Sequence, residues 1–408
     1  MTPPLRSTYH RFCDRKNYFV DDRQKRDFMN TSVDLELARR TADRLAASGV
    51  TLEQTPALLG FDGFIDTILH VVDTRQSATE YTRVRTIEAF AARILAAAGK
   101  STNIEIVPQN VKLGGNGPIM ANAMSALGVP VTYCGMTGYP HVHEVFSEFA
   151  TRALLHPIAD PALTDAIEFD DGKLIVGKHA TVAQVSYENI QLRVGEIAWR
   201  VAWESAGFVG MVNWTMLPYL TDLWKKIQAD FSHELDHRRK TLFFDLADPE
   251  KRTAADLLDA LDTITVFQSH HDVILGLNEK EAVHVAKVLD VPMGATIQAA
   301  GAADPHMIVT LATDVRERLG IHICVVHPTQ FAAAADAAGS AVVAGPYIPN
   351  PKISTGAGDH FNAGFCCGQI LGCDLAQSLQ LGVATSGFYV RNALSPNRAQ
   401  LAEFLRSF

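Results

Sequence analysis

From Ala57 onward, short apolar runs alternate with stretches of helical periodicity: ALLGF at 57–61, VTYCGM at 131–136, AGFVGMVN at 206–213, TLFFDLA at 241–247, DVILGLN at 272–278 and HICVVH at 322–327. Runs this short and this apolar read as strands, and helices between successive strands imply a parallel sheet covered by those helices. Before the alternation begins, apolar spacing at Leu35, Leu37, Ala38 and Ala42 predicts a helix over 32–48. Residues 1–31 read as an N-terminal extension whose charges are mixed in sign, and residues 32–408 as the core.

Two regions break the pattern. IEIVPQNVKL at 104–113 and the stretch 166–194 are strand-rich and dotted with charge, and Asp170-Asp171-Gly172-Lys173 is a tight-turn sequence within the second. They predict a small separate sheet that leaves and rejoins the core, a discontinuous lid over about 67–113 and 165–195.

Composition excludes several classes. A net charge of -9 argues against nucleic acid as a partner, since binding a phosphate backbone needs concentrated basic surface. The N-terminal residues are too charged for a secretory signal and no apolar run is long enough to span a bilayer, so the expectation is a cytoplasmic protein with no membrane partner. Cys13, Cys134, Cys324, Cys366, Cys367 and Cys373 lack paired metal-ligand spacing and read as reduced thiols. His270 and His271, taken as neighbours in a strand, would point to opposite faces and could not ligate one metal together.

The segment ISTGAGDHFNAGFCCGQILG at 353–372 concentrates the chemistry. Pro349 and Pro351 disfavour helix before it, and Thr355-Gly356-Ala357-Gly358 forms a flexible turn running straight into a helix. Backbone N–H groups converge there, and the helix N-terminus adds roughly half a positive charge, so the turn suits a phosphate. Asp359 follows at its mouth. The helix end favours the ionised carboxylate by about 0.3–1 kcal/mol, so Asp359 is expected to have low proton affinity. A weak base suffices for phosphoryl transfer, where the hydroxyl proton leaves late. Read alone, the same glycines equally suit an ordinary helix start behind a turn.

T-G-A-G-D-x-F-N-A-G-F at 355–365 closely resembles the C-terminal signature of the PfkB (ribokinase-like) carbohydrate kinases. The resemblance extends over most of 57–396. It implies a three-layer α/β/α fold with a mostly parallel central sheet and a small β-rich lid. It makes Asp359 the catalytic base, Gly356, Ala357 and Gly358 the anion hole, and Thr355, Gly356 and Gly358 neighbours of the nucleotide. Mg2+ and ATP are the implied cofactor and donor.

Weaker motifs follow in family order. GLNEKE at 276–281 resembles the N-x-x-E motif associated with metal and phosphate, which implicates Asn278 and Glu281 in metal binding and Asn278 in nucleotide binding. The residues themselves suit either oxygen ligation of magnesium through water or a plain helix start, an Asn cap with Glu at the third helical position. GFDGFID at 60–66 and GGNGPIMAN at 114–122 belong to the family's sugar-binding half and point to Asp66, Asp62, Gly114, Gly115, Asn116 and Asn122. Buried carboxylates that accept hydroxyl hydrogen bonds discriminate polyols, because an unpaired one is costly. SGFYVRN at 386–392 resembles the helix flanking the adenine, with Asn392 as a base contact, although plain C-terminal packing would also account for it.

Two departures concern the donor. The usual asparagine five residues after the first glycine of the Gly-Gly pair is here Ile119, and Val326-His327-Pro328-Thr329 replaces the common Thr-x-Gly at the nucleotide site. Both, with GFDGFID, resemble the ADP-dependent sugar kinases, and leave ADP beside ATP as donor with His327 near the nucleotide. The expectation is a kinase that moves a nucleotide's terminal phosphoryl group to a sugar-like hydroxyl. Its alternatives are an ADP-dependent sugar kinase, a nucleoside kinase, and a ligand-binding homologue without turnover. A dehydrogenase is set aside for want of a Gly-x-Gly-x-x-Gly turn after the first strand. An exposed lid edge offers a surface for a homodimer.

Overall fold

The computed structural model describes residues 33–47, 49–231, 239–301 and 303–408; the expected N-terminal extension and Cys13 lie outside the described residues. In chain order the strands are β1 Ala57–Gly60, β2 Phe64–Arg75, β3 Tyr81–Arg83, β4 Ile106–Gly114, β5 Val131–Gly135, β6 Ala153–Pro157, β7 Ala162–Phe169, β8 Gly172–Lys178, β9 Phe208–Met211, β10 Thr241–Asp245, β11 Asp272–Leu277, β12 Ile323–Val326, β13 Phe331–Ala335 and β14 Ser340–Ala344. The helices that bear on the site are α1 Leu35–Ala47, α2 Ile87–Leu95, α3 Asn116–Ala126, α4 Glu279–Val288, α5 Ala357–Ile370 and α6 Leu375–Asn392.

All six apolar runs are strands of one sheet, ordered β14-β13-β12-β11-β10-β9-β1-β5-β6 and parallel except for β13 and β14 at one edge. Their continuous apolar character follows from burial on both faces. Leu242 and Phe244 join Trp224, Leu257 and Val285 on one side, while Phe243 joins Met124, Phe361 and Phe365 on the other. Each such phenylalanine contributes about 1.5–3 kcal/mol relative to exposure. The three layers expected from the sequence are therefore present. The chain lays β5 and β6 to one side of β1, then returns to lay β9 to β12 on the other, so the carboxyl ends of β1 and β9 flank a crevice where strand order reverses.

The second sheet is built on β2, which pairs antiparallel with β4 from Phe64 opposite Gly114 and parallel with β7 from Phe64 opposite Ala162. β8 returns on β7 through the Asp170-Asp171 turn, and β3 joins the far end of β2. Phe90 of α2 packs with Val71, Val84 and Phe169 into a small core on one face of this sheet. The strand-rich reading of 166–194 holds only to Lys178. Beyond it Ser186 caps a helix, Tyr187–Arg193, by accepting from the Asn189 N–H, and the local cap outweighs the β-branched residues around it.

Cys134, Cys324, Cys366 and Cys367 are buried free thiols and Cys373 is a partly buried one. His270 and His271 lie in the turn between the helix Ala254–Phe267 and β11 rather than in a strand. No described helix is long and apolar enough to cross a membrane.

Candidate active site

Asp62 follows β1 and Asp66 lies in β2, so both stand beside the crevice. Asp62 is fully buried, and its carboxylate accepts from the Gly117 N–H at 2.9 Å and the Asn213 amide at 2.6 Å, while the Tyr133 hydroxyl donates to the Asp62 backbone carbonyl at 2.6 Å and lies 3.4 Å from the carboxylate. Burial lifts its pKa to about 6 against the pull of those donors. Asn213 follows β9, so this bond ties the two strands together at the point of reversal. Asp66 is buried too and shifted upward by desolvation, with Lys112 and Thr164 pulling it back. Its carboxylate lies against Gly114: a Cβ there would fall 2.4 Å from it. Gly114 and Gly115 therefore let the backbone approach two carboxylates, and Asn116 opens α3 beside them.

The turn at 355–358 runs into α5 as the sequence predicts, with Gly356 in the left-handed region at φ 93°. The Ala357 N–H donates to the Ser354 carbonyl at 3.1 Å, while the N–H groups of Gly358 and Asp359 have no backbone partner among the described residues. Those two are the orphan donors of a first helical turn, aimed out of its end. Asp359 is buried at this end, hydrogen-bonded to the side chain of Asn116.

The low proton affinity expected for Asp359 is not what the structure gives. Burial, reinforced by the charges of Asp62 and Glu281, holds Asp359 well above the usual carboxylate range, with Asn116 acting in the other direction. Desolvation and like charge outweigh a helix-end effect of about 0.3–1 kcal/mol.

Asn278 and Glu281 form a capping box at the start of α4: the Asn278 side chain accepts from the Glu281 N–H, and Glu281 accepts from the Asn278 N–H, both at 2.9 Å. The other Glu281 oxygen accepts from the Asp248 N–H at 2.8 Å. The helix-start reading of this motif is thus realised, and it holds the Glu281 carboxylate fixed near Asp245, a residue outside every motif above. Asp245 ends β10 fully surrounded, its pKa pushed far up by burial, by Glu281 and by Asp359. One oxygen accepts from the Asn362 amide at 3.0 Å; the other, like the Asn362 carbonyl oxygen, is buried without a partner. An aspartate closing the otherwise apolar run TLFFD was the signal available in the sequence. Among the described residues no three histidine, cysteine or acidic side chains form a metal-binding group, so the unpartnered Asp245 oxygen and Glu281 could serve a magnesium ion only through water.

Beside the turn lies a cleft of about 400 Å³ whose walls include Asn278, His327, Ser354, Gly358, Ser386 and Val390. His327 packs on Phe361 at 4.6 Å, burial lowers its pKa to about 4, and its Nε2 has no partner. Asn392, expected at the nucleotide, does not line this cleft. Asn392, the last residue of α6, is exposed and donates to the Phe388 carbonyl at 2.9 Å. Asn122, expected on the sugar side, accepts from Arg152 at 2.6 Å and lines a second cavity together with Lys112 and Leu113 of β4, the residues paired with Asp66 and Ile65.

A family model described as prokaryotic ketohexokinase matches residues 12–408. A ketohexokinase of Haloferax volcanii is 30% identical over 353 residues, covering 86% of this chain and 91% of that protein. Among solved structures, a fructokinase with bound ATP from Xylella fastidiosa superposes with a TM-score of 0.58 at 14% identity, covering 87% of this chain and 99% of that one. An Arabidopsis thaliana ribokinase complexed with ribose and ATP gives 0.56 at 14% identity, covering 86% and 99%.

Proposed function

The chain belongs to the prokaryotic ketohexokinase family and is a sugar kinase of the ribokinase-like fold, and from that premise we propose that it transfers the terminal phosphoryl group of ATP to a hydroxyl of a ketohexose, with Asp359 as the base. One observation carries the reading: a buried carboxylate of raised proton affinity stands at a helix N-terminus whose Gly358 and Asp359 N–H groups have no backbone partner, beside the cleft and within reach of the charge of Asp62.

In this scheme Asp66 accepts hydrogen bonds from sugar hydroxyls. Asp62, already engaged by Gly117, Asn213 and Tyr133, positions the start of α3 so that Asn116 meets Asp359. The acceptor hydroxyl loses its proton to ionised Asp359 as its bond to phosphorus forms and the bond to ADP breaks, and the raised proton affinity of that group makes it a stronger base in its ionised form. The Gly358 and Asp359 amides meet the charge spread over the migrating phosphoryl oxygens. Asn278, His327 and Ser354 face the nucleotide phosphates. Magnesium, when bound, neutralises charge on those phosphates, and Asp245 and Glu281 are the carboxylates placed to hold its water shell. The small sheet, whose β2 carries Asp66, acts as a lid, and exposed Ile175 and Val176 on its outer strand β8 suit pairing in a homodimer.

The test is turnover with ATP or ADP against a panel of ketohexoses, aldohexoses and nucleosides. ATP with a ketohexose should support it, releasing ADP. Turnover on ADP with release of AMP would overturn the donor, and preference for a nucleoside would overturn the acceptor. The likeness of GFDGFID to ADP-dependent sugar kinases gains no support from the relatives described above.

A further inference from the structure

The residue after Asp359 is a histidine, and nothing in the scheme above uses it. His360 is 2% exposed, and its ring lies face to face with Tyr389 of α6, centroids 3.6 Å apart and planes 13° apart. His360 Nδ1 is 2.7 Å from the Gly356 carbonyl oxygen, and the Tyr389 hydroxyl donates to the Thr355 carbonyl at 2.9 Å. A carbonyl can only accept, so Nδ1 carries the proton. Nε2 then accepts from the Ser395 hydroxyl at 2.9 Å. Burial lowers the His360 pKa to about 4, which keeps the ring in this neutral, singly protonated form.

Two consecutive carbonyls of the turn are thus held by one stacked pair of rings. Each peptide plane carries its carbonyl and the next residue's N–H on opposite sides, so fixing the Thr355 and Gly356 carbonyls fixes two successive peptide planes, the second of them already tied through the Ala357 N–H to Ser354, and with them the direction in which the chain enters Gly358 and Asp359, whose amides lie open. The Gly356 carbonyl also accepts from the His360 backbone N–H at 3.1 Å and Ile119 packs against Gly356, so the rings add side-chain bonds to a first helical turn that is already formed. On the side of Ala357 and Gly358 lies the nucleotide cleft, and Ile119, His360, Tyr389 and Ser395 line a separate cavity of about 450 Å³. Gly356 itself comes so near Tyr389 that an added Cβ would sit 3.1 Å from the hydroxyl.

We propose that His360 and Tyr389 are positioning residues that brace the turn 355–358 from behind and so aim its amides at the transferred phosphoryl group. The proposal rests on the base and anion-hole reading above. Because those amides matter most as charge develops on the phosphoryl oxygens, loosening them lowers kcat more than it raises either KM.

The test compares Tyr389→Phe, His360→Leu, His360→Asn and Asp359→Asn for kcat, both KM values and melting temperature. Tyr389→Phe and His360→Leu should each lower kcat about tenfold or more, with both KM values within about threefold, since losing an oxyanion donor outright costs about 10²–10³. His360→Asn restores an amide N–H toward the Gly356 carbonyl and should recover most of kcat. The brace is overturned if Tyr389→Phe and His360→Leu stay within about twofold of wild type, or if folded His360→Asn is no better than His360→Leu. Should His360→Leu fail to fold, Tyr389→Phe, which removes a single oxygen, decides alone. Asp359→Asn separates the two readings: activity in that variant removes the base itself, whereas its inactivity beside normal brace variants removes the brace only.

Discussion

The carboxylate of Asp66 rests on the backbone of Gly114, and neither residue can be read without the other. The sequence offers Asp66 as a sugar ligand and Gly114 as the first of a glycine pair, and the structure supplies the reason for the pairing: a methyl group at 114 would overlap the carboxylate at 2.4 Å. Gly114→Ala should therefore push Asp66 out of place and raise the sugar KM tenfold or so, by the 1–3 kcal/mol typical of overpacking, while the ATP KM moves by less than about threefold. Steady-state kinetics with each substrate varied checks this; equal rises in both would point to general damage. Asp359 shows the opposite case. Its identity and place were legible from Gly356 to Gly358, but the direction of its pKa shift was not, because its burial and the approach of Asp62 and Glu281 arise only through the fold.

At the scale of elements, α5 and α6 lie close enough for glycine to be required between them. A Cβ on Gly364 would meet the Leu381 carbonyl oxygen at 2.5 Å, and one on Gly368 would meet Ser378 at 2.7 Å. Backbone atoms cannot step aside as a side-chain tip can. Gly364→Ala should cost about 1–3 kcal/mol of stability, read as a lower midpoint in urea with unchanged slope. The alternation of strands, the turn into α5 and the capping sequence of α4 were legible because each depends on residues adjacent in the chain. Asp245 with Asn362, Asp62 with Asn213, and Tyr389 with Thr355 were not, since each bond joins elements far apart in sequence. The helix at Tyr187–Arg193 was missed for a smaller reason, a single serine cap among strand-forming residues.

Across the whole molecule, the reversal of strand order gathers Asp62, Asp245, Glu281 and Asp359 into one buried acidic group. Each has a folded pKa above its unfolded value, so its contribution to stability is complete below about pH 4 and is lost as pH rises through the folded pKa, which for Asp62 is about 6. His327 and His360, held near 4, act in the other sense, losing stability as pH falls below about 6.5. A difference between variants isolates the carboxylates. Asp245→Asn should raise the ligand-free melting temperature by roughly 3 °C or more at pH 8 and by less at pH 5. A gain that is equal at both pH values would mean that folding does not raise the proton affinity of Asp245. The central claim concerns Asp359, and the most direct measurement is the rate of phosphoryl transfer by Asp359→Asn together with its ATP affinity. The account predicts transfer reduced by about 10² or more with ATP bound within about threefold of wild type, since only proton acceptance is removed; near-normal turnover by a folded Asp359→Asn enzyme would contradict it.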